Sequence, residues 1–421
     1  MDTETVPGAG IDPGELIALE AAIRADEPAY LADLARLVNT DCGSYTPEGV
    51  DEIGRFVARF MTDHSATVEV RPDPAATRGA TVIGTWDGPR GTAGGPRILL
   101  VGHMDTVFDP GTAAERPFTI DADGIAHGPG VTDMKSGLLA GLYALKALVA
   151  AGPLPFERLT YIANPDEEIG SPSSTPHIRE IAADAEVCLV LECARANGDI
   201  VSSRKGILDA RITVHGRAAH AGVEPEKGRS AILAAADLAT RLHALNGRWD
   251  GVTINVGVIG GGTRPNVVAE RSSLEVDVRA IRRADLEAAE SEIRSMLGSL
   301  AVPDVSAELV PMARWWPMEK LERSGRLVEH AQAVARQLGF EVRDAATGGA
   351  SDANTTAGMG IASIAGLGPI AGMDHSPAEY LEVASIVPRT ALLAGLLLAI
   401  GRDPVVGEWR AAGAAGAVAT S

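Results

Sequence analysis

Five short segments hold most of the acids and imidazoles able to do chemistry: LLVGHMDTVFDP at 99–110, GPGVTDMKSG at 128–137, NPDEEIGS at 164–171, LVLECAR at 189–195 and GMDHSPAEY at 372–380. Each sets a histidine or carboxylate beside an apolar run or a glycine turn. If the first strand continues through its polar end, alternation puts His103 and Asp105 on one side. His103, Asp133, Glu167, Glu168, Glu192 and His375 then supply two imidazoles and four carboxylates. That set suits zinc or another first-row divalent ion better than magnesium, whose sites are built of oxygen. One ion would leave part of the set unused, whereas two adjacent ions sharing a carboxylate would use it all. Two ions about 3.5–4 Å apart can hold one water and lower its pKa toward neutrality. Glu167 beside Glu168 fits such a site, because one acid must stay on metal while the other is free to take the water's proton and pass it to a departing amide nitrogen. Taken singly these residues have plainer readings: Asp133 as a helix-start acid, Glu167 and Glu168 as a solvated turn. The joint order is what points to a site.

The elements that must position these residues follow from periodicity. Residues 15–62 read as two helices around the polar connection NTDCGSYTPEGV, and ATVEVRP, GATVIGTW, RILLVGH and FTIDADG read as short strands. A helix is expected over 133–152, stopped by a glycine, and RLTYIANP and VCLVLE as core strands with polar carboxyl ends, where open α/β sheets place ligands. After residue 200 the order changes to β-α-β-β-α-β, a compact unit of four strands with two helices on one face. The expected fold class is therefore α/β, with an inserted α+β domain. The expected boundaries are 1–205 for the first part of the catalytic domain, 206–311 for the insertion and 312–421 for the second part.

These motifs resemble those of the di-metal amidohydrolase and exopeptidase family that includes glutamate carboxypeptidase, acetylornithine deacetylase, succinyl-diaminopimelate desuccinylase and the aminoacylases. The similarity runs from about 15 to 400 and rests on HMDT, on GPGVTDMKSG with Ser136 where glycine is commoner, and on DEE followed by a lone glutamate. The resemblance implies a mixed-sheet di-zinc exopeptidase-type catalytic domain with an inserted dimerisation or lid domain that closes over substrate. It implies two Zn2+, with Co2+ or Mn2+ able to serve in the same geometry. Asp133 is similar to the bridging ligand, His103 and Glu192 to the remaining ligands of one ion, and Glu168 and His375 to those of the other. Asp105 resembles the carboxylate that holds His103 from behind, and Glu167 the general base. His220 in AAHAG resembles the donor to the oxyanion, often reaching a partner subunit's site, while Asn266 and Arg279 resemble the residues that bind the substrate's carbonyl and free α-carboxylate. An arginine clamps a carboxylate through two parallel hydrogen bonds that lysine does not reproduce. GGASDANTTAG at 348–358 resembles the glycine-rich loop lining the substrate site.

The implied activity is hydrolysis of the amide bond to a C-terminal amino acid with a free carboxylate, like that of a glutamate carboxypeptidase. The alternatives are an N-acyl-amino-acid amidohydrolase or a dipeptidase. In the glutamate carboxypeptidases a lysine occurs in the segment after the lone metal-binding glutamate; here CARANGDIVSSRKG has Asp199 and Ile200 around that place, with Arg204 and Lys205 later, so selectivity for glutamate does not follow. Composition narrows the partners. A formal charge of −19 over 421 residues, without a basic patch, argues against nucleic acid and leaves a small molecule, a dipeptide or N-acyl amino acid. The amino end MDTETVPGAG has acids and no basic residue ahead of the first apolar run, unlike the start of a secretory signal, and ALLAGLLLAI at 391–400 is too short for a membrane span, so a cytoplasmic protein off the membrane is expected. Cys42, Cys188 and Cys193 show neither metal nor disulfide spacing. A homodimer through the inserted domain is expected, since a four-strand sheet exposes an edge.

Overall fold

The computed structural model describes residues 10–89 and 95–409; the leader reading at residues 1–9 lies outside them. The chain divides into two compact units. One comprises the chain up to Ser202, Lys320–Ala346 and the chain from Ser351 onward; the other comprises Ser203–Glu319 with Thr347–Ala350.

The first unit is built on a six-stranded mixed sheet in the order Thr67–Arg71, Thr81–Asp87, Arg158–Asn164, Arg97–His103, Val187–Val190 and Ala362–Ile364. The last four strands run parallel, while the Thr67–Arg71 and Thr81–Asp87 pair joins antiparallel at one edge. Parallel strands need both faces covered, and apolar runs such as ILLV at 98–101 meet that need, being 0–2% exposed. Their cover includes the helices Ser136–Ala151, Glu322–Gln337 and Asp352–Gly358, with Pro13–Val38 and Ile386–Arg402 packed in turn on Ser136–Ala151. The segments Val131–Ala151 and Val383–Arg402 are long and apolar enough to span a membrane, yet both are largely buried within this unit's core. The carboxyl-terminal apolar stretch is thus longer than its ten-residue reading, a 17-residue helix.

A second, smaller sheet matters more for the site. It has the order Ala371–Gly372, Tyr380–Glu382, Ile125–His127 and Thr119–Ile120, all antiparallel. The hairpin between its first two strands carries His375, and the turn leaving Ile125–His127 carries Asp133. The helix expected from 133 begins instead at Ser136, and Asp133 keeps an extended backbone, φ −116° and ψ 99°. The reason is a competing acceptor: Glu379 takes the N–H groups of Gly130, Thr132 and Asp133 at 3.0, 2.7 and 3.2 Å. Those donors are held by a carboxylate outside the helix.

The second unit is a four-stranded antiparallel sheet in the order Thr253–Gly261, Arg271–Ala280, Gly206–His215 and Ser306–Trp315. Its alternation is regular. Leu208, Ala210, Ile212 and Val214 pack with Leu274, Val276 and Val278 against Ala231–His243 and Arg283–Leu297, leaving Arg211, Thr213, Glu275 and Asp277 on the opposite face of the two central strands. Burying each of the larger apolar side chains contributes roughly 1.5–3 kcal/mol.

Candidate metal centre

Two sets of loops meet at the carboxyl ends of the parallel strands. The large sheet supplies His103 at the end of its strand, Glu167 and Glu168 in the short turn after Asn164, and Glu192 just beyond Val190. The small sheet supplies Asp133 and His375. Gly137 permits the approach of the Ser136–Ala151 helix to the Glu192 strand, because a Cβ there would lie 1.8 Å from the Leu191 carbonyl oxygen.

Asp133 stands between the two imidazoles. Its Oδ1 lies 2.9 Å from His103 Nε2 and its Oδ2 lies 3.1 Å from His375 Nε2. His375 Nε2 is also 3.1 Å from Glu168 Oε2, and His103 Nε2 is 4.0 Å from Glu192 Oε2. The strand stops at His103, so Asp105 faces its neighbour through a turn and not by alternation. Asp105 carbonyl oxygen and Oδ1 lie 3.0 and 3.3 Å from His103 Nδ1. The buried Asp105 carboxylate does more than back the ring: it accepts from Ser44 Oγ at 2.6 Å and from the N–H groups of Glu167 and Glu168 at 3.1 and 3.2 Å. It therefore fixes the turn that aims both glutamates.

Electrostatics are dominated by acids withdrawn from water. Burial pushes Glu167 well above the usual carboxylate range, reinforced by the charges of Glu192, Asp352 and Glu168. Burial raises Glu168 also. Asp133, although buried, is held below its ordinary value by the hydrogen bonds of His103 and His375. Hydrogen bonds to Asp133 and Glu168 push His375 up to about 11, and despite burial His103 is raised by Asp105 and Asp133. Each pairing asks for positive charge near these carboxylates.

A divalent ion meets that demand. Donors about 2.0–2.2 Å from a tetrahedral ion stand roughly 3.3 Å apart, close to the separations among His103, Asp133, Glu168 and His375. Glu168 Oε1 is buried with no hydrogen-bond partner, an arrangement a bound cation would relieve. Two groups offer ligand atoms within 4.8 Å of one another, His103 with Asp133 and Glu168, and Asp133 with Asp374 and His375. Their shared member is Asp133. Mixed nitrogen and carboxylate donors suit a first-row divalent ion.

The other expected site residues lie on the second unit. His220 and Asn266 come together there: both are exposed, residues 220 and 267 form an isolated bridge, and the Ala221 N–H donates to the Asn266 carbonyl at 3.0 Å. Arg279 is held by Asp277, with Nε 3.1 Å from each carboxylate oxygen, and donates through Nη1 to the Gly348 carbonyl at 2.9 Å. Asp277 thus aims Arg279.

Several supporting residues escaped the sequence reading. Glu379 is 1% exposed and organises the Asp133 turn from the His375 loop. Arg389, 2% exposed, donates to the carbonyls of Gly198, Gly366 and Gly368, while the Gly368 N–H donates to the Glu192 carbonyl at 2.8 Å. Cys193 donates to the Thr132 carbonyl at 2.6 Å, joining the Glu192 strand end to the Asp133 turn. Glu379 lies four residues beyond His375 in GMDHSPAEY, the one local signal available.

Comparison with known proteins places this arrangement. Carboxypeptidase G2 of Pseudomonas sp. (strain RS-16) is 30% identical over 383 residues, 89% of this chain and 90% of the relative. A succinyl-diaminopimelate desuccinylase of Leptothrix cholodnii is 27% identical over 344 residues, 76% of this chain and 86% of its own. In fold, the aminopeptidase PepT of Bacillus cereus ATCC 10987 superposes with a TM-score of 0.73 at 23% identity, covering 89% of this chain and 99% of its own. The model of peptidase family M20/M25/M40 matches residues 99–399, a span from just before His103 to beyond His375, and the chain is a metal-dependent hydrolase belonging to that family.

Proposed function

We propose that the protein hydrolyses the amide bond to a C-terminal amino acid with a free carboxylate, using two divalent ions, zinc first, with Co2+ or Mn2+ serving in the same place. The observation that carries this reading is Asp133, whose two oxygens each face a different imidazole, 2.9 Å from His103 and 3.1 Å from His375. His103, Asp133 and Glu192 would hold one ion; Asp133, Glu168 and His375 would hold the other. When bound, such ions polarise a carbonyl and bring the pKa of water toward neutrality.

The chain's own residues then have separate tasks. Glu167, 9% exposed, takes the proton of the attacking water and hands it to the leaving amide nitrogen. Its raised affinity for protons fits a group that must hold one between those events. Asp105 keeps His103 in one tautomer and holds the Glu167 backbone. His220 is assigned as donor to the developing oxyanion, Asn266 to the carbonyl and Arg279 to the α-carboxylate, for which Asp277 pre-orients the guanidinium. The name of the carboxypeptidase G2 relative supports the order of substrate assigned here. A second reading, an N-acyl-amino-acid amidohydrolase or dipeptidase, is favoured by similarity to the desuccinylase. We place the working protein in the cytoplasm as a homodimer through the exposed edges of the second unit's sheet, where Val258, Ile259, Val310 and Met312 are 51–55% exposed.

The test is a panel of dipeptides and N-acetyl, N-benzoyl and longer N-acyl amino acids offered to metal-loaded protein, each beside its carboxamide. Release of free amino acid only from the carboxylates is expected. Arg279→Ala should raise KM about tenfold or more for carboxylates and leave carboxamides unchanged, in line with loss of a charge-assisted pair. Equal turnover of acids and amides by the wild type would refute the reading.

A further inference from the structure

One carboxylate at the cluster belongs to none of these roles. Asp374 precedes His375 in the loop between Ala371–Gly372 and Tyr380–Glu382. Its ligand atom lies within 4.8 Å of those of Asp133 and His375. The loop is held in a tight form: Met373 and His375 both have φ near 59°, and Ser376 Oγ donates to the Met373 carbonyl at 2.6 Å. A separate observation points to a cation on this side. Glu168 has a side chain only 4% exposed, its Oε2 is 3.1 Å from His375 Nε2, and its Oε1 is buried without a partner.

We propose that Asp374 is an additional ligand to the ion on the His375 side, so that the two metal positions are chemically unequal. The inference rests on the two-ion reading above. The His103 side offers one imidazole with the carboxylates of Asp133 and Glu192. The His375 side offers one imidazole with the carboxylates of Asp133, Glu168 and Asp374. Carboxylate oxygens suit harder ions, and a third one shifts a mixed site from zinc toward manganese. The His375 position is the one that accepts Mn2+, while the His103 position keeps the stronger preference for Zn2+. Asp374 is exposed on a loop, so its replacement leaves the core untouched.

Full-length protein stripped with a chelator and titrated with Mn2+ alone, then with Zn2+ alone, reads the two positions separately by calorimetry and by the electron paramagnetic resonance of bound manganese. Wild type should take two ions per chain in two steps, and His375→Ala identifies the step belonging to its side. D374N should raise the Kd of that step at least about tenfold for Mn2+ and less for Zn2+, with the other step unchanged. Unchanged steps, or both weakened alike as by a general loss of charge, would overturn the assignment of Asp374. Fewer than two ions bound to wild type would overturn the two-ion reading itself, an outcome visible before any variant is made.

Discussion

Asp403 and the candidate metal centre, both in the first unit, bury acid and neutralise it in opposite ways. At Asp403, whose side chain is 3% exposed, the chain provides its own positive charge: Arg326 Nε donates at 2.6 Å, His330 Nε2 lies at 2.7 Å and the Val405 N–H donates at 3.0 Å. At the candidate metal centre, Asp105, Asp133, Glu167, Glu168 and Glu192 converge around the imidazoles of His103 and His375. Burying a charge without a partner is costly, and breaking a buried pair leaves that cost exposed. Asp403 therefore comes with its cations built in. In the function proposed above, the cluster instead leaves neutralisation to bound metal ions.

The largest effect expected from this contrast is at Glu167. Glu167→Gln keeps the shape of the turn and the N–H bond to Asp105 but removes the group that changes protonation. Turnover should fall roughly a hundred- to ten-thousand-fold, with two ions still bound when metal content is measured by mass spectrometry. Loss of metal together with activity would make Glu167 a ligand and break the division of labour between it and Glu168. Retained activity would move the base elsewhere.

What could be read from the sequence at this site was local. His103 and Asp105 lie two residues apart, Glu167 and Glu168 adjoin, and apolar runs such as ILLV and VCLV announce strands whose ends must be polar. Even the split order of the second unit is visible as alternation, because its sheet has one wet face. What was hidden depends on distance along the chain. The hold of Glu379 on the Asp133 turn spans 246–249 residues, and that of Arg389 on the Gly198 carbonyl spans 191. No periodicity marks a carboxylate that accepts three backbone amides, and a buried arginine in an apolar helix reads as an interruption. The delayed helix start at Ser136 follows from the same blindness: local propensity favoured helix from Asp133, and an acceptor from the far end of the chain won.

Asp403 supplies the next effect, on stability and not on turnover. Burial would raise its pKa, but the hydrogen bonds of His330 and Arg326 outweigh burial and hold it near 2, against 3.8 for the ordinary group. A folded value below the unfolded one adds stability that is complete above about pH 4 and disappears as pH falls toward 2. The linkage is worth about 2 kcal/mol at neutral pH. Asp403→Asn should therefore unfold at lower urea than wild type at pH 6, and the gap should narrow as pH falls below about 4. A gap independent of pH would mean that Asp403 matters through packing and not charge, and the self-neutralised half of the comparison would fail.

The smallest effect belongs to the second unit, where acid is left in water. Glu275 and Arg211 sit directly opposite on paired strands, 2.7 Å apart, with side chains 39% and 51% exposed. On the other face of the same strand, Leu274 and Val276 are 0% and 3% exposed and carry the packing. An exposed pair of this kind contributes about 0.2–1 kcal/mol, less in high salt. Glu275→Gln should accordingly shift urea unfolding by less than Asp403→Asn does, and 1 M salt should erase the difference. A loss as large as that at Asp403, and indifferent to salt, would show that this face is not in water in the working protein. That is the result a second copy of the chain covering this face would produce, and it would favour a face-to-face dimer over the edge-to-edge one proposed above.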